Sequence, residues 1–184
     1  MTSTNRDFKS FFPSFSPEPL KTVVSRASAL KPPSFTSASS KTQAAAIQRL
    51  VGTACRLHAF TKGSTVSLVD GDLVGRKLFA VSIYPDQSIE LGSPPNRQDI
   101  FVFVLLNLHL LVKPAHAFGS WFDPVRNVHV LDVVICVSTL HAAIELGLLF
   151  GQTSIYDLAA QAVIKIETVA SGRLRNQETK ATVR

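Results

Sequence analysis

Residues 118–158 constrain the fold most, because apolar runs and turn signals follow one another there at short intervals. The segment reads in order as strand, turn, strand, helix and strand, since period-two alternation gives way to helical spacing and then returns. Asp123-Pro124 marks the turn, and Gly151 is a residue type that commonly ends a helix. This order predicts an α+β domain with residues 128–137 as its longest strand.

The rest of the chain adds elements to this centre. Asn96 with Asp99 three residues later has the pattern of a helix N-cap, and Pro114 follows the end of the same apolar run. The full set of predicted elements is helices at 41–60, 100–112 and 140–150, main strands at 65–69, 77–84, 117–122, 128–137 and 153–158, and short extra strands at 88–91 and 163–167. We therefore expect an antiparallel or mixed sheet of about five strands, with two helices on one face, an extended N-terminal arm and an amphipathic helix.

Composition divides the chain into four parts. The predicted boundaries are an arm at 1–40, an amphipathic helix at 41–63, the α+β domain at 64–168 and a basic tail at 169–184. Lys and Arg outnumber Asp and Glu by eight to two in residues 1–60 and by four to one in residues 173–184, whereas residues 61–172 hold seven against ten. Both ends are therefore basic and the middle mildly acidic, which predicts ends that meet an acidic surface.

The N-terminal arm combines two features that rarely occur together. Residues 1–40 contain ten serines and five prolines, a composition that cannot form a regular core alone. The same residues hold five phenylalanines with basic residues between them, which predicts docking on a partner through aromatic anchors. The predicted anchors are Phe8, Phe11, Phe12, Phe15 and Phe35. A solvated leader and an organelle transit peptide are the alternatives.

Residues 41–60 predict the amphipathic helix. Apolar side chains recur there at helical spacing, and Arg49 and Arg56 share the opposite face. Ser40 is the expected N-cap and Gly63 the expected stop. The helix therefore has a basic outer side, which we expect either to cover its own domain or to contact a partner.

Asp132 stands in an apolar row of the longest strand. Period-two alternation puts its side chain on the same face as Val134 and Cys136. An unpaired carboxylate there costs several kcal/mol or takes a raised pKa. The sequence thus predicts that Asp132 accepts hydrogen bonds, pairs with a cation or lines a wet cleft.

The sequence lacks the motifs of several kinds of catalytic and binding site. The chain contains neither a GxSxG nucleophile motif nor a Walker or GxGxxG phosphate loop. Asp70-Gly71-Asp72 lacks the remaining ligands of an EF-hand, and Cys55 and Cys136 have no partner at metal-ligand spacing. We expect no metal, no cofactor and a reducing compartment. The apolar run at 100–112 is shorter than the about 20 residues of a bilayer span, so no membrane span is predicted.

The central motifs resemble a group of small bacterial α+β proteins found in cyanobacteria, other bacteria and mobile elements or phages. The resemblance covers roughly residues 64–166 and rests on a G-x-W…L-D…Q…Y-D pattern. The matching positions are Gly119, Trp121, Asp123, Leu131, Asp132, Gln152, Tyr156 and Asp157. This chain departs from the group in its arm and in the more apolar helix at 140–150. The group has no assigned activity, so the resemblance implies a fold and no chemistry.

Three functions are compatible with these patterns. The first is a non-enzymatic accessory subunit that docks on a protein assembly with an acidic or apolar surface, through the arm and through Arg49 and Arg56. The second is a nucleic-acid-associated protein that uses its basic tails. The third is an enzyme in which Asp132 and Asp157 act as acid and base. We predict the first, in the cytoplasm, with a homo-oligomer, an organelle and a virion left open.

Overall fold

The computed structural model describes residues 39–166 and shows an α+β architecture. The helices are α1 (Ser40–Thr61), α2 (Arg97–Leu106), α3 (Leu108–Leu111) and α4 (Leu140–Leu149). The strands are β1 (Gly63–Ser67), β2 (Gly71–Asp72), β3 (Phe79–Ser82), β4 (Ile89–Leu91), β5 (His116–Asp123), β6 (Val128–Val137), β7 (Ser154–Asp157) and β8 (Ala162–Lys165). A 3-10 turn, Pro85–Gln87, lies between β3 and β4.

The strands form one antiparallel sheet in the order β2-β1-β5-β6-β3-β7-β8, with β4 also pairing with β6. The described chain thus has eight strands, which exceeds the expected number of about five. The difference arises because the two predicted short strands near residues 89 and 163 both form, and Gly71–Asp72, which was predicted as part of a turn, also forms a short strand. Their backbone groups are satisfied by pairing with longer neighbours, so a short apolar pattern is sufficient.

All four described helices lie on one face of the sheet, which we call the helix face. Phe118, Leu131 and Val133 point to this face and pack against α1, α2 and α3. Ile135 and Val137 of β6 point the same way and pack against α4. The prediction that helices lie on one face of the sheet is therefore correct, although the described residues form four helices on that face and two were predicted there.

The opposite face of the sheet, here called the inner face, is also buried. Ala117, Val134 and Cys136 project from it and pack with Leu73 and Leu158. The segment between β2 and β3 must cross over β1, β5 and β6, because these strands lie between its ends. Its backbone is fixed there by hydrogen bonds from Gly75 N–H to Leu158 O at 2.7 Å and from Leu158 N–H to Leu78 O at 3.0 Å. The crossing segment therefore takes the place that a second helical layer would have.

Helix α1 belongs to the same core as the domain that follows it. Ile47, Leu50, Val51 and Ala54 are buried in one cluster with α2 and the sheet. The helix therefore packs on the domain that follows it, one of the two alternatives that the sequence allows. The helix begins after Ser39, whose hydroxyl accepts from Thr42 N–H, one residue before the expected cap. It ends at Lys62 in the left-handed conformation with φ of 59°.

The predicted helix at 100–112 is interrupted in the structure. The capping box of Asn96 and Asp99 starts α2 as expected, but the helix ends at Leu106. Asn107 is buried, and its side-chain amide donates to Phe103 O at 3.0 Å. Such a local side-chain bond competes with regular helical pairing, so α3 starts as a separate short helix.

Of the two expected caps of this helix, Ser138 and Thr139, α4 uses Thr139, and Gly151 takes the expected left-handed conformation with φ of 65°. The predicted inner stripe was Leu140, Ala143, Ile144, Gly147 and Leu148. Leu146 is buried in the core beside Ala143 and Ile144, whereas Leu148 is half exposed. The prediction therefore holds for the first turns of the helix and differs at its C-terminal end.

Candidate functional site

Asp132 lies at the centre of the inner face and is 5 % exposed. Within the described part of the chain, its Oδ1 atom has no hydrogen-bond partner, and no Lys, Arg or His forms an ion pair with its carboxylate. Burial raises the pKa of Asp132 to about 6, and a hydrogen bond with Ser82 opposes that rise. Of the three environments expected from the sequence, a cation pair is not present among residues 39–166.

Gly119 provides the space that Asp132 occupies. The two residues are directly paired between β5 and β6. A Cβ atom on Gly119 would contact Asp132 Oδ1 at 2.1 Å and Val134 Cγ1 at 3.0 Å. Glycine at this position is therefore required sterically by the carboxylate opposite, which explains why these two motif residues occur together.

The structure separates the residues of the predicted acid–base site. Asp157 pairs with Phe79 and so projects from the helix face, opposite to Asp132. Its Oδ1 accepts from the N–H groups of Ala159 and Ala160 at 2.9 and 3.0 Å, which caps a turn. Tyr156 shares the inner face with Asp132 but belongs to β7, beyond β3. Asp132 and Asp157 are therefore not brought together.

Trp121 is the remaining aromatic residue of the motif. It follows Gly119 by two positions on β5, so its side chain starts from the inner face, and it is 43 % exposed. Trp121 thus lies where the buried inner face meets the surface. Its ring shields one end of that face and remains accessible.

A second polar cluster, which the sequence analysis missed, lies under α1 on the helix face. We call it the histidine chain; its members are Ser64, Ser120, His58 and His129. Ser64 Oγ lies 2.8 Å from Ser120 Oγ, and Ser120 Oγ lies 2.9 Å from His58 Nδ1. His58 Nε2 lies 2.8 Å from His129 Nδ1. The hydrogen bonds connect α1 to β1, β5 and β6 in one line.

Every member of the histidine chain is buried, and His58 is only 3 % exposed. Burial lowers the pKa of His58 to about 4, and repulsion from His129 adds to the shift. At neutral pH His58 is therefore uncharged. The sequence held a signal for this site, because His58 falls in the inner stripe of α1 and His129 in the apolar row of β6. Polar residues at core positions indicate a buried network.

The outer side of α1 carries cations and no acidic residue. Arg49 and Arg56 are exposed, as expected, and neither forms an ion pair within residues 39–166. Arg97 of α2 joins them, since its guanidinium donates to Gln48 Oε1 at 2.6 Å. This side of the molecule is therefore a positively charged surface formed by two helices.

Apolar residues of α2 are exposed on the same pair of helices. Val102, Leu105 and Leu106 project to solvent, and Leu106 is 64 % exposed. An open depression is lined by Gln48 of α1 and by Arg97 and Phe101 of α2. We call the exposed side of the two helices the α1–α2 surface; it comprises Arg49, Arg56, Arg97, Val102, Leu105 and Leu106. Exposed apolar side chains and cations on one pair of helices suit a partner that is both apolar and acidic.

The predicted arm anchors Phe8, Phe11, Phe12, Phe15 and Phe35 lie outside the described residues. Over residues 39–166, no group of three or more His, Cys, Asp or Glu side chains has the arrangement of a metal site. No helix in that range is long and apolar enough to cross a membrane. Cys55 and Cys136 are both free thiols.

Comparison with known proteins gives no relative. No protein-family model matches the chain, and neither the curated proteins nor the solved structures include a significant match. The functional argument therefore depends on the geometry above.

Proposed function

We propose that this protein is a non-enzymatic interaction subunit that docks on an acidic, apolar surface of another protein. The observations that carry the proposal are cations without ion-pair partners on α1 and exposed apolar residues on α2, the helix that packs beside it, within residues 39–166. A helix that bears only positive charge attracts an acidic partner, and the apolar patch adds burial on contact. The Phe-rich arm precedes α1 directly, so it extends the same docking region.

A reducing compartment such as the cytoplasm suits this role. Both thiols are free, and burial raises the pKa of Cys136 to about 12, which keeps that thiol unreactive. A soluble assembly partner in that compartment would meet the α1–α2 surface without any membrane contact.

The docking proposal predicts binding to a designed acidic helix. The probe is a synthetic amphipathic peptide with a leucine stripe and glutamates beside it, measured against the full chain by fluorescence anisotropy. We expect R49E/R56E to weaken binding about tenfold or more, since each reversal replaces attraction by repulsion. We expect L105S/L106S to weaken it to a similar degree through lost apolar burial.

Matched controls separate this surface from general charge and hydrophobicity. K77E/K113E makes the same charge change at exposed lysines elsewhere, and L148S/L149S removes exposed leucines from α4. Both controls should bind as the wild type does. Equal losses in the controls would contradict the proposal. Tight binding to duplex DNA that R49E/R56E abolishes, with no binding to the peptide, would favour the nucleic-acid function instead.

A further inference from the structure

The histidine chain holds the C-terminal turn of α1 against the sheet. His58 lies three residues before the end of the 22-residue helix, and the capping N–H of Lys62 bonds to its carbonyl. On the sheet side, its ring contacts Ser120 of β5 and His129 of β6. Next to it, Phe122 N–H of β5 donates to Lys62 O at 2.9 Å, so the histidine chain and a backbone bond together hold the end of α1 on the sheet.

A neutral histidine chain can satisfy its hydrogen bonds with either tautomer of His58. In one arrangement His58 Nδ1–H donates to Ser120 Oγ, and His58 Nε2 accepts from His129 Nδ1–H. In the other, Ser120 O–H donates to His58 Nδ1, and His58 Nε2–H donates to His129 Nδ1. Both arrangements are complete, because each short contact then has one donor and one acceptor.

Protonation of both imidazoles removes this complementarity. Each ring then has donors on both nitrogens, so His58 Nε2–H and His129 Nδ1–H face each other across 2.8 Å. Two positive charges would also lie side by side in a buried region. The hydrogen bond between the rings cannot survive in that state.

The surroundings offer little compensation for positive charge. In the described structure, neither imidazole bonds to a carboxylate. Phe122 packs on His129 at 4.8 Å between ring centroids, and the cation Lys62 lies over Phe122 at 4.9 Å. Glu90 of β4 projects from the inner face and bonds to Arg126, while Leu91 is the residue paired with His129. The C-terminal end of α1 favours a cation, but burial has the larger effect.

We propose that the histidine chain is an acid-sensitive latch, which holds the end of α1 on the sheet at neutral pH and releases it on acidification. The latch is a separate proposal from the docking function. The two are connected because α1 carries Arg49 and Arg56 of the docking surface. Release would change the geometry of the α1–α2 surface. Acidification would therefore alter how the protein meets its partner.

The direction of the pH effect follows from proton uptake. The pKa of His58 is about 4 when α1 is docked, against about 6.5 for an imidazole in water. The opened state takes up a proton between these values, so the latch is strongest above pH 6.5 and weakens as the pH falls towards 4. At pH 5 the open fraction should be about 30-fold larger than at pH 7.5.

Hydrogen exchange on the full chain tests the latch directly. Protection of the amides of α1 is measured at about pH 7.5 and pH 5 and corrected for intrinsic exchange rates. We expect a loss of about 30-fold in the C-terminal half of α1 that the strands β5 and β6 do not share. H58Q should remove most of the pH dependence, since glutamine keeps an amide but takes up no proton.

Two histidines elsewhere provide matched controls. His141 is exposed on α4, and His116 is bonded to Tyr84 at 2.8 Å at a different part of the sheet. H141Q and H116Q should keep the acid-induced loss in α1. Unchanged protection between the two pH values, or an equal loss in all strands, would overturn the latch. Should H58Q fail to fold, an NMR titration of wild-type His58 decides, because a pKa near 6.5 with α1 still protected is incompatible with the proposal.

Discussion

At the scale of single residues, the buried carboxyl of Asp132 makes the free energy of unfolding depend on pH, and one substitution can isolate this effect. Its pKa is about 6 in the folded protein and near 3.8 when exposed, so unfolding releases a proton between these values. Stability from this group is therefore lost as the pH rises from about 4 to about 6, by up to about 3 kcal/mol. D132N removes that loss, so its stability relative to the wild type should rise with pH in urea unfolding. A difference that stays constant with pH would show that the carboxyl titrates normally.

The same variant addresses the enzymatic alternative. Asp157, the proposed partner of Asp132 in acid–base chemistry, projects from the opposite face of the sheet. We therefore expect D132N to change stability in the manner described and to leave peptide binding unchanged. The binding assay at about pH 7.5 is the check, because a structural carboxylate has no direct effect on the distant α1–α2 surface.

Gly119 gives a second residue-scale prediction. G119A should destabilise the protein by about 1–3 kcal/mol, because the new methyl group would overlap Asp132 Oδ1 and crowd Val134. G52A is the matched control, since its Cβ would meet Arg97 at an ordinary 3.5 Å, and alanine favours the helix by up to about 1 kcal/mol. Thermal unfolding of both variants, and of G119A/D132A, tests the explanation. Failure of D132A to relieve the G119A defect would refute it.

Some polar residues of the core could be identified from the sequence and others could not. Asp132 was recognisable because a carboxylate interrupts a strand whose other residues on that face are apolar. His58 and His129 were harder to identify, because a single histidine in an apolar stripe does not indicate one particular role. The two serines of the histidine chain, Ser64 and Ser120, are also 56 residues apart in the sequence. A contact between distant positions depends on strand register, which a local pattern does not contain.

At the scale of elements, the local sequence predicted where helices begin better than it predicted where they end or which strands pair. The capping box at Asn96, the cap at Thr139 and the left-handed Gly151 depend on neighbouring residues and were correct. The break at Asn107 depends on burial of its side chain against Phe103, which becomes visible only in the folded state. Strand β6 was predicted with its observed bounds because all of its residues except His129 and Asp132 are apolar.

The pairing of β6 shows what no strand pattern reveals. One of its sides pairs first with β3 and then with β4, so residues 83–88 lie opposite Asp132 and Val133 without continuing the ladder. Interruptions of this kind bend a sheet and place side chains in unusual surroundings. The location of Asp132 at this interruption therefore follows from three separate segments, each of which looked like an ordinary strand or turn.

At the scale of the whole molecule, both faces of the sheet are covered by described elements, the helix face by helices and the inner face by the β2–β3 segment. The Ser- and Pro-rich composition of the arm is one that cannot form a regular core alone. We therefore expect the Phe-rich arm to contribute to binding and not to folding.

That expectation is tested by replacing the arm's anchors in the full chain. F8S/F11S/F12S/F15S keeps every arm charge and removes aromatic side chains, which commonly carry most of the energy of an interface. We expect an unchanged melting temperature, because described elements already cover both faces of the sheet. Affinity for the acidic helical peptide should fall about tenfold or more. S10A/S14A/S16A, with substitutions in the same segment, should bind normally. A lower melting temperature in the phenylalanine variant would instead mean that the arm packs into this protein's own core. The arm would then not be a docking element for a partner protein.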